Sequence, residues 1–319
     1  MIRSFIVAAF FAAFSLSAQT RTPVLIDTDI GDAVDDSLAL GLALTSPELE
    51  VRGVTTVIDD VESKTRLASK ELVIFGRRDI PVAMGAAEPL LDPKLQTHPS
   101  AFHILTSSDQ IAESARRPAA SFLVDTLMNS RDRLTLIAIG PLTNVALALK
   151  TEPRIKERIE RIVLMGGAFA TNKTEYNVKR DPVAAEIVFR SGVPILAAGL
   201  DVTTPCKLRS EDLESLRVAQ SPAARFLLRQ IELSQSETRE ALPTLYDPLA
   251  VAAVFRPDLI ETAAGKVEVS LANDATRGQT RFTSDPAATT RVGVNVNAQA
   301  FLDLFITRIA HGGAFGGAR

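Results

Sequence analysis

Five times along this chain a short run of β-prone apolar residues gives way, through a polar or glycine turn, to a helical pattern. "PVLIDTD" leads into "DDSLALGLALTS", and "EVRGVTTVIDD" into "ESKTRLASKELVIFG". "RLTLIAIG" leads into "PLTNVALALK", "RIVLMGG" toward "DPVAAEIVFRSG", and "VPILAAGLDVT" toward "RSEDLESLRVAQ". That alternation predicts βαβ units and a mostly parallel sheet. The strand segments are continuously apolar, as strands covered by helices on both faces must be. The expectation is an α/β fold with a Rossmann-like, mostly parallel central sheet flanked by helices. No low-complexity linker interrupts the pattern, so one domain is expected. Ligands of such a sheet bind beyond the carboxyl ends of its strands. The polar residues at those ends are Asp27 and Asp29, Asp59 and Asp60, Thr143 and Asn144, and Asp201 and Thr203, with Gly166 and Gly167.

The first residues fall outside this plan. "MIRSFIVAAFFAAFSLSAQT" places Arg3 before an apolar run, Phe5 to Phe14, and small residues before Gln19. This is the layout of a secretory signal peptide cleaved near Ala18, so residues 1–18 are expected to be a leader and the product periplasmic or secreted. The run is too short for a fixed membrane span, and no membrane association is expected after its removal. The formal net charge of −3 becomes one unit more negative without Arg3. That balance lacks the basic stripe of a nucleic-acid binder. Trp is absent and aromatics make up 5% of the chain, which leaves little for stacking single strands. Cys206 is the single cysteine, so no internal disulfide supports the fold. Residues 88–118 are the least regular internal stretch and suit a flexible flap over a site. The tail, 309–319, is expected to fray.

Between the first strand and the first helix lies "DTDIGDAVDD", with Asp27, Asp29, Asp32, Asp35 and Asp36 inside ten residues. Carboxylates so close repel unless protonated or neutralised by a cation. Helix capping accounts for Asp35 and Asp36, but not for Asp27 and Asp29 at a strand end. A hard cation held by oxygen ligands accounts for the whole cluster, and Ca²⁺ is such an ion. The spacing is not that of an EF-hand. An aspartate-nucleophile phosphatase also uses Asp-x-Asp after its first strand, but Ile30 and Gly31 do not continue that pattern. "YDP" at 246–248 and "RDP" at 180–182 each look like an Asp cap followed by Pro in the first turn. His98, His103 and His311 have no zinc spacing, and P-loop, G-x-S-x-G and G-x-G-x-x-G motifs are absent.

Taken in order, "DTDIGDAVDD", "GVTTV", "IPVAMGA", "AIGPLTNVALAL", "IVLMGGA", "EYN" with "DPVAAEIVF", and "YDPLAVA" resemble the inosine–uridine-preferring nucleoside hydrolases over residues 22 to 308. The resemblance implies the nucleoside-hydrolase fold and calcium-dependent cleavage of ribonucleosides to nucleobase and ribose. It implies Asp29, Asp36, Asp247 and the Thr143 carbonyl as Ca²⁺ ligands, with Asp29 also the general base. Asp35, Asp60, Met165, Glu175 and Asn177 correspond to residues around the ribose, and Asp27 to a supporting Asp.

The implied chemistry suits the residue types. Breaking the C1′–N bond leaves an oxocarbenium-like sugar, which carboxylates stabilise. A metal lowers the pKa of water, and a carboxylate can take its proton. Three departures stand out. Ala33 and Asp59 replace an Asp and a Gly common in the pattern, and Tyr246 replaces the His often found before the last calcium Asp. Tyr246 is the candidate leaving-group helper in its stead. A ribonucleoside is the expected partner, and a homodimer or homotetramer the expected assembly. The alternative is a calcium-dependent nucleoside- or ribose-binding protein with little turnover.

Overall fold

The computed structural model describes residues 21–91, 100–238 and 242–311. The leader, His98 and positions 312–319 of the tail lie outside the described residues. The chain begins with β1 (Thr22–Thr28), α1 (Val34–Thr45), β2 (Leu49–Thr56), α2 (Val61–Ile74) and β3 (Val82–Ala83). Next come α3 (Ala119–Asn129), β4 (Leu134–Ala138), α4 (Thr143–Thr151), β5 (Ile159–Met165), α5 (Tyr176–Arg180) and α6 (Pro182–Phe189). It continues through β6 (Ile195–Ala198), α7 (Leu200–Thr203), α8 (Ser210–Val218), α9 (Pro222–Thr238) and α10 (Tyr246–Phe255). It closes with β7 (Ile260–Val269), β8 (Thr280–Ser284), β9 (Thr290–Val296) and α11 (Ala298–His311).

The strands form one sheet in the order β3-β2-β1-β4-β5-β6-β9-β7-β8. From β3 to β9 every pairing is parallel, while β7 runs antiparallel to both β9 and β8. The expected parallel sheet is present, extended by an antiparallel end that the sequence pattern did not announce. Alternate strand residues face opposite ways. Val24, Ile26, Ile137 and Val163 therefore join the core under α1, α9, α10 and α11. Leu25, Leu136, Ile162 and Leu164 join the core under α3, α4 and α6. With both faces covered, β1, β4, β5 and β6 are almost wholly buried.

The chain order reverses at β1, which pairs with β2 on one side and β4 on the other. Loops leaving neighbouring strands of opposite progression diverge there and open a crevice. Asp27 pairs with Ala138 across that seam, so the acidic segment and the "GPLTN" turn emerge side by side. In the irregular stretch, 100–104 and 113–116 form short 3₁₀ turns. Arg66 of α2 donates to the Asp109 and Thr106 carbonyls, both at 2.8 Å, and Lys70 pairs with Asp109 at 2.8 Å. These bonds tie 106–109 to α2, and residues 92–99 lie outside the described part. No helix among the described residues is long and apolar enough to cross a membrane.

Candidate active site

A cavity of about 560 Å³ opens beyond the carboxyl ends of β1, β4 and β5. Asp29, Asp32, Ala33, Asp35 and Asp36 line it from the first loop, Ile139 and Met165 from the strand ends, Thr174 to Asn177 from the start of α5, and Leu200, Tyr246 and Asp247 from the far wall. The first loop is built by its own short bonds. Gly31 takes a φ of +106°, which lets the chain turn, and the Asp32 N–H donates to the Asp29 carbonyl at 3.1 Å. Thr28 accepts from the Ile30 N–H at 3.1 Å and donates to the Asp36 carboxylate at 2.5 Å, fixing the start of α1 against β1. Gly140 permits a close approach: a Cβ there would lie 2.7 Å from the Asp29 nitrogen and 2.9 Å from its Oδ1.

Carboxylate oxygens of Asp35, Asp36 and Asp247 all lie within 4.8 Å of one another, and all three residues are buried. The Asp247 N–H donates to Asp35 at 3.2 Å, which binds the start of α10 to that of α1. Burial raises the pKa of Asp29, Asp36 and Asp247 well above the usual carboxylate range, and neighbouring carboxylates raise them further. Asp35 is pushed up to about 6 by burial, against the pull of the bond from Asp247. Burial pushes Asp27 up to about 7 although Asn144 and Thr55 donate to it, at 2.8 and 2.5 Å. So many carboxylates, dehydrated and close together, form an oxygen-rich set that a hard divalent cation would satisfy.

The residues to which the resemblance gives metal, ribose or catalytic roles line the cavity, with two exceptions. Asp29, Asp35, Asp36, Met165, Glu175, Asn177, Tyr246 and Asp247 line the cavity. Asp247 is not a helix cap: α10 starts at Tyr246 after Leu245, which makes no side-chain cap, so the Asp247 carboxylate is left for the cavity. Asp181 is the cap its spacing suggested, accepting from the Ala184 N–H at 2.9 Å. Thr143 departs from the role implied by resemblance. It is the first residue of α4, where a carbonyl runs along the helix axis into the hydrogen-bond ladder. Its hydroxyl donates to Asp181 at 2.7 Å, and it does not line the cavity. The backbone carbonyl at this strand end belongs to Ile139, which accepts from Asn177 Nδ2 at 3.0 Å. Asp60 also departs. It caps α2, accepting from the Ser63 N–H at 3.0 Å, and does not line the cavity.

Glu175 has a double role. Its carboxylate caps α5, accepting from the N–H groups of Asn177, Val178 and Gly167 at 2.8, 2.9 and 3.2 Å, while it faces the cavity. Burial raises its pKa against those bonds. Tyr246 is half-buried and lines both this cavity and a smaller one of about 130 Å³ between α1 and α9. His103 is exposed on its 3₁₀ turn and lines neither.

Some contacts beside the cavity were not legible in the sequence. Ile58 and Asp59 both adopt positive φ, +61° and +59°, a strained pair of the kind that clusters at functional sites. Arg180 of α5 reaches Asp59 at 2.7 Å and ties this loop to the element carrying Glu175, Tyr176 and Asn177. Lys64, fully buried, pairs with Asp32 at 2.8 Å. Ion pairs between segments so far apart in sequence leave no mark on local pattern.

A doubly covered parallel sheet with a carboxylate-lined cavity at its switch point defines an α/β protein built to take a small polar ligand beyond its strand ends. The chain belongs to the inosine-uridine preferring nucleoside hydrolase family, whose sequence model matches residues 24–303. It is therefore a hydrolase acting on N-glycosyl bonds of ribonucleosides. A relative named pyrimidine-specific ribonucleoside hydrolase RihA, from Citrobacter koseri, is 34% identical over 307 residues, covering 90% of this chain and 98% of that one. Among solved structures, a plant nucleoside hydrolase, PpNRh1, superposes with a TM-score of 0.81 at 29% identity, covering 91% of this chain and 99% of its own. A purine-preferring ribonucleoside hydrolase from Gardnerella vaginalis gives 0.78 at 31% identity, covering 92% and 99%.

Proposed function

We propose that the reaction depends on Ca²⁺ held by Asp29, Asp36 and Asp247, with the Ile139 carbonyl as backbone donor. The observation that carries this reading is the buried trio Asp35, Asp36 and Asp247, whose oxygens lie within 4.8 Å of one another, with Asp29 beside them. The donor set fits a hard ion: all the side-chain ligands are carboxylates, and burial, then their neighbours' charge, raises their pKa values. When bound, such an ion supplies Lewis acidity that orients and acidifies water.

The remaining steps fall to the chain's own groups. Asp29 accepts the proton of the attacking water. Asp35 and Asn177 hold ribose hydroxyls, and Met165 closes the cavity floor beside the ring. The summed negative charge of the aspartates, with Glu175 across the cavity, favours the developing oxocarbenium ion. Tyr246 hydrogen-bonds the leaving nucleobase from the cavity wall.

A preference for ribose over deoxyribose follows if the sugar hydroxyls are held in this way. The named relatives differ in the base they favour, one pyrimidine-specific and one purine-preferring. The test is a reducing-sugar assay on inosine, guanosine, adenosine, uridine and cytidine with their 2′-deoxy counterparts, in added Ca²⁺. Ribose release from at least one ribonucleoside, with the deoxy analogue much slower, is expected. Tight binding without release from any of them would support a binding protein instead. We also propose export, supported by the apolar run at residues 5–14, and assembly as a homodimer or homotetramer. Cell fractionation and light scattering test these two points.

A further inference from the structure

Lys64 lies in the first turn of α2 and is fully buried, the largest side chain so enclosed among the described residues. Its Nζ sits 2.8 Å from Asp32 Oδ1 and donates to the Val57 carbonyl at 3.2 Å. A buried ammonium is costly to dehydrate, and an ion pair in the interior is a poor source of stability compared with apolar packing. Its location suggests what else it does. Asp32 lines the cavity together with Asp29, Asp35, Asp36, Glu175 and Asp247, so six carboxylates face one small volume. Its backbone is held in the tight turn that follows Asp29. A single divalent ion cannot neutralise six carboxylates, and one left uncommitted beside the ligands would compete to bind it.

We propose that Lys64 is a positioning residue that holds Asp32 out of the metal's ligand shell, so that the pair behaves as one neutral unit and the other aspartates set the affinity. The inference rests on the metal reading above. The same geometry predicts opposite effects for the two partners. Without Lys64, Asp32 adds negative charge and an oxygen donor to the cavity. Without Asp32, an unopposed ammonium repels the ion. A merely structural pair would alter stability in both cases and metal affinity in neither.

The test is calorimetric titration of Ca²⁺, with no nucleoside present, into metal-free wild type, Lys64→Met, Lys64→Arg, Asp32→Asn and the double variant Asp32→Asn/Lys64→Met, each checked for folding by circular dichroism. Lys64→Met should bind Ca²⁺ at least about tenfold more tightly and Asp32→Asn at least about tenfold more weakly, the size expected for one unit charge a few ångströms away in a partly dehydrated site. The double variant should return to within about threefold of wild type, as should Lys64→Arg. Should Lys64→Met fail to fold, the step from Asp32→Asn to the double variant still decides the matter. Single variants that bind Ca²⁺ as wild type does, or a double variant weaker than Asp32→Asn, would overturn the inference while leaving the metal reading intact. A wild type that takes up no Ca²⁺ would overturn both.

Discussion

Asp27 offers a stability prediction whose size follows from its surroundings. The residue is fully buried at the end of β1, one of its oxygens accepts from Thr55 and Asn144, and the other has no hydrogen-bond partner among the described residues. Burial pushes its pKa from 3.8 to about 7. An acid whose folded pKa is raised binds more protons in the folded state between its two pKa values, so it destabilises the fold as pH rises through that window. Below pH 4 Asp27 imposes no penalty. Above pH 7 the full penalty of about three pKa units, about 4 kcal/mol, is present. Asp27→Asn keeps the shape and an acceptor oxygen for Thr55 and Asn144 but removes the charge. Metal-free wild type and variant are to be compared by urea unfolding at several pH values, followed by circular dichroism. The variant should be more stable by about 2 kcal/mol at pH 5 and about 4 kcal/mol at pH 8, with little difference at pH 4. A difference that does not grow with pH, or a variant less stable at pH 8, would refute the reasoning.

Asp29→Asn keeps an oxygen at the cavity but cannot take a proton, so kcat should fall at least about a hundredfold; wild-type turnover of inosine and uridine would remove Asp29 from the role of base. Tyr246→Phe should slow nucleosides with poor leaving groups far more than p-nitrophenyl riboside, because an activated leaving group needs no hydrogen bond, and Ca²⁺ affinity should not change. Equal slowing of both substrates would assign the assistance elsewhere. Gly140→Ala puts a methyl group 2.7 Å from the Asp29 backbone nitrogen, and the forced shift should cut kcat on the order of a hundredfold. Steady-state kinetics at unchanged secondary structure checks this, and full activity would mean that the strand end yields without moving Asp29.

What could be read from the sequence was what repeats or what is local. The βαβ alternation gave the parallel part of the sheet because each apolar run was bounded by its own turn. The acidic segment could be placed at a strand end because Asp27 and Asp29 directly follow "PVLI". The antiparallel strands were harder. β7 alternates buried and exposed residues and β8 is mostly exposed, so neither carries the continuous apolar run that marked the others. Local pattern also misled at "YDP", where the cap-like spacing concealed a cavity carboxylate. Thr143 falls outside the cavity lining for a different reason: the motif located the turn, but a backbone carbonyl's direction depends on where the helix begins, and α4 begins at Thr143 itself. Lys64 stands in a polar helix start with nothing local to mark it, and its partners Asp32 and Val57 lie outside α2.

The proposed dependence on Ca²⁺ makes the carboxylate cavity inactive without it. Its most direct test is nucleoside hydrolysis by protein stripped with a chelator, shown metal-free by elemental analysis, and then titrated with Ca²⁺. The stripped protein should release no measurable ribose and should recover fully at one Ca²⁺ per chain. Wild-type turnover in the metal-free sample would contradict it.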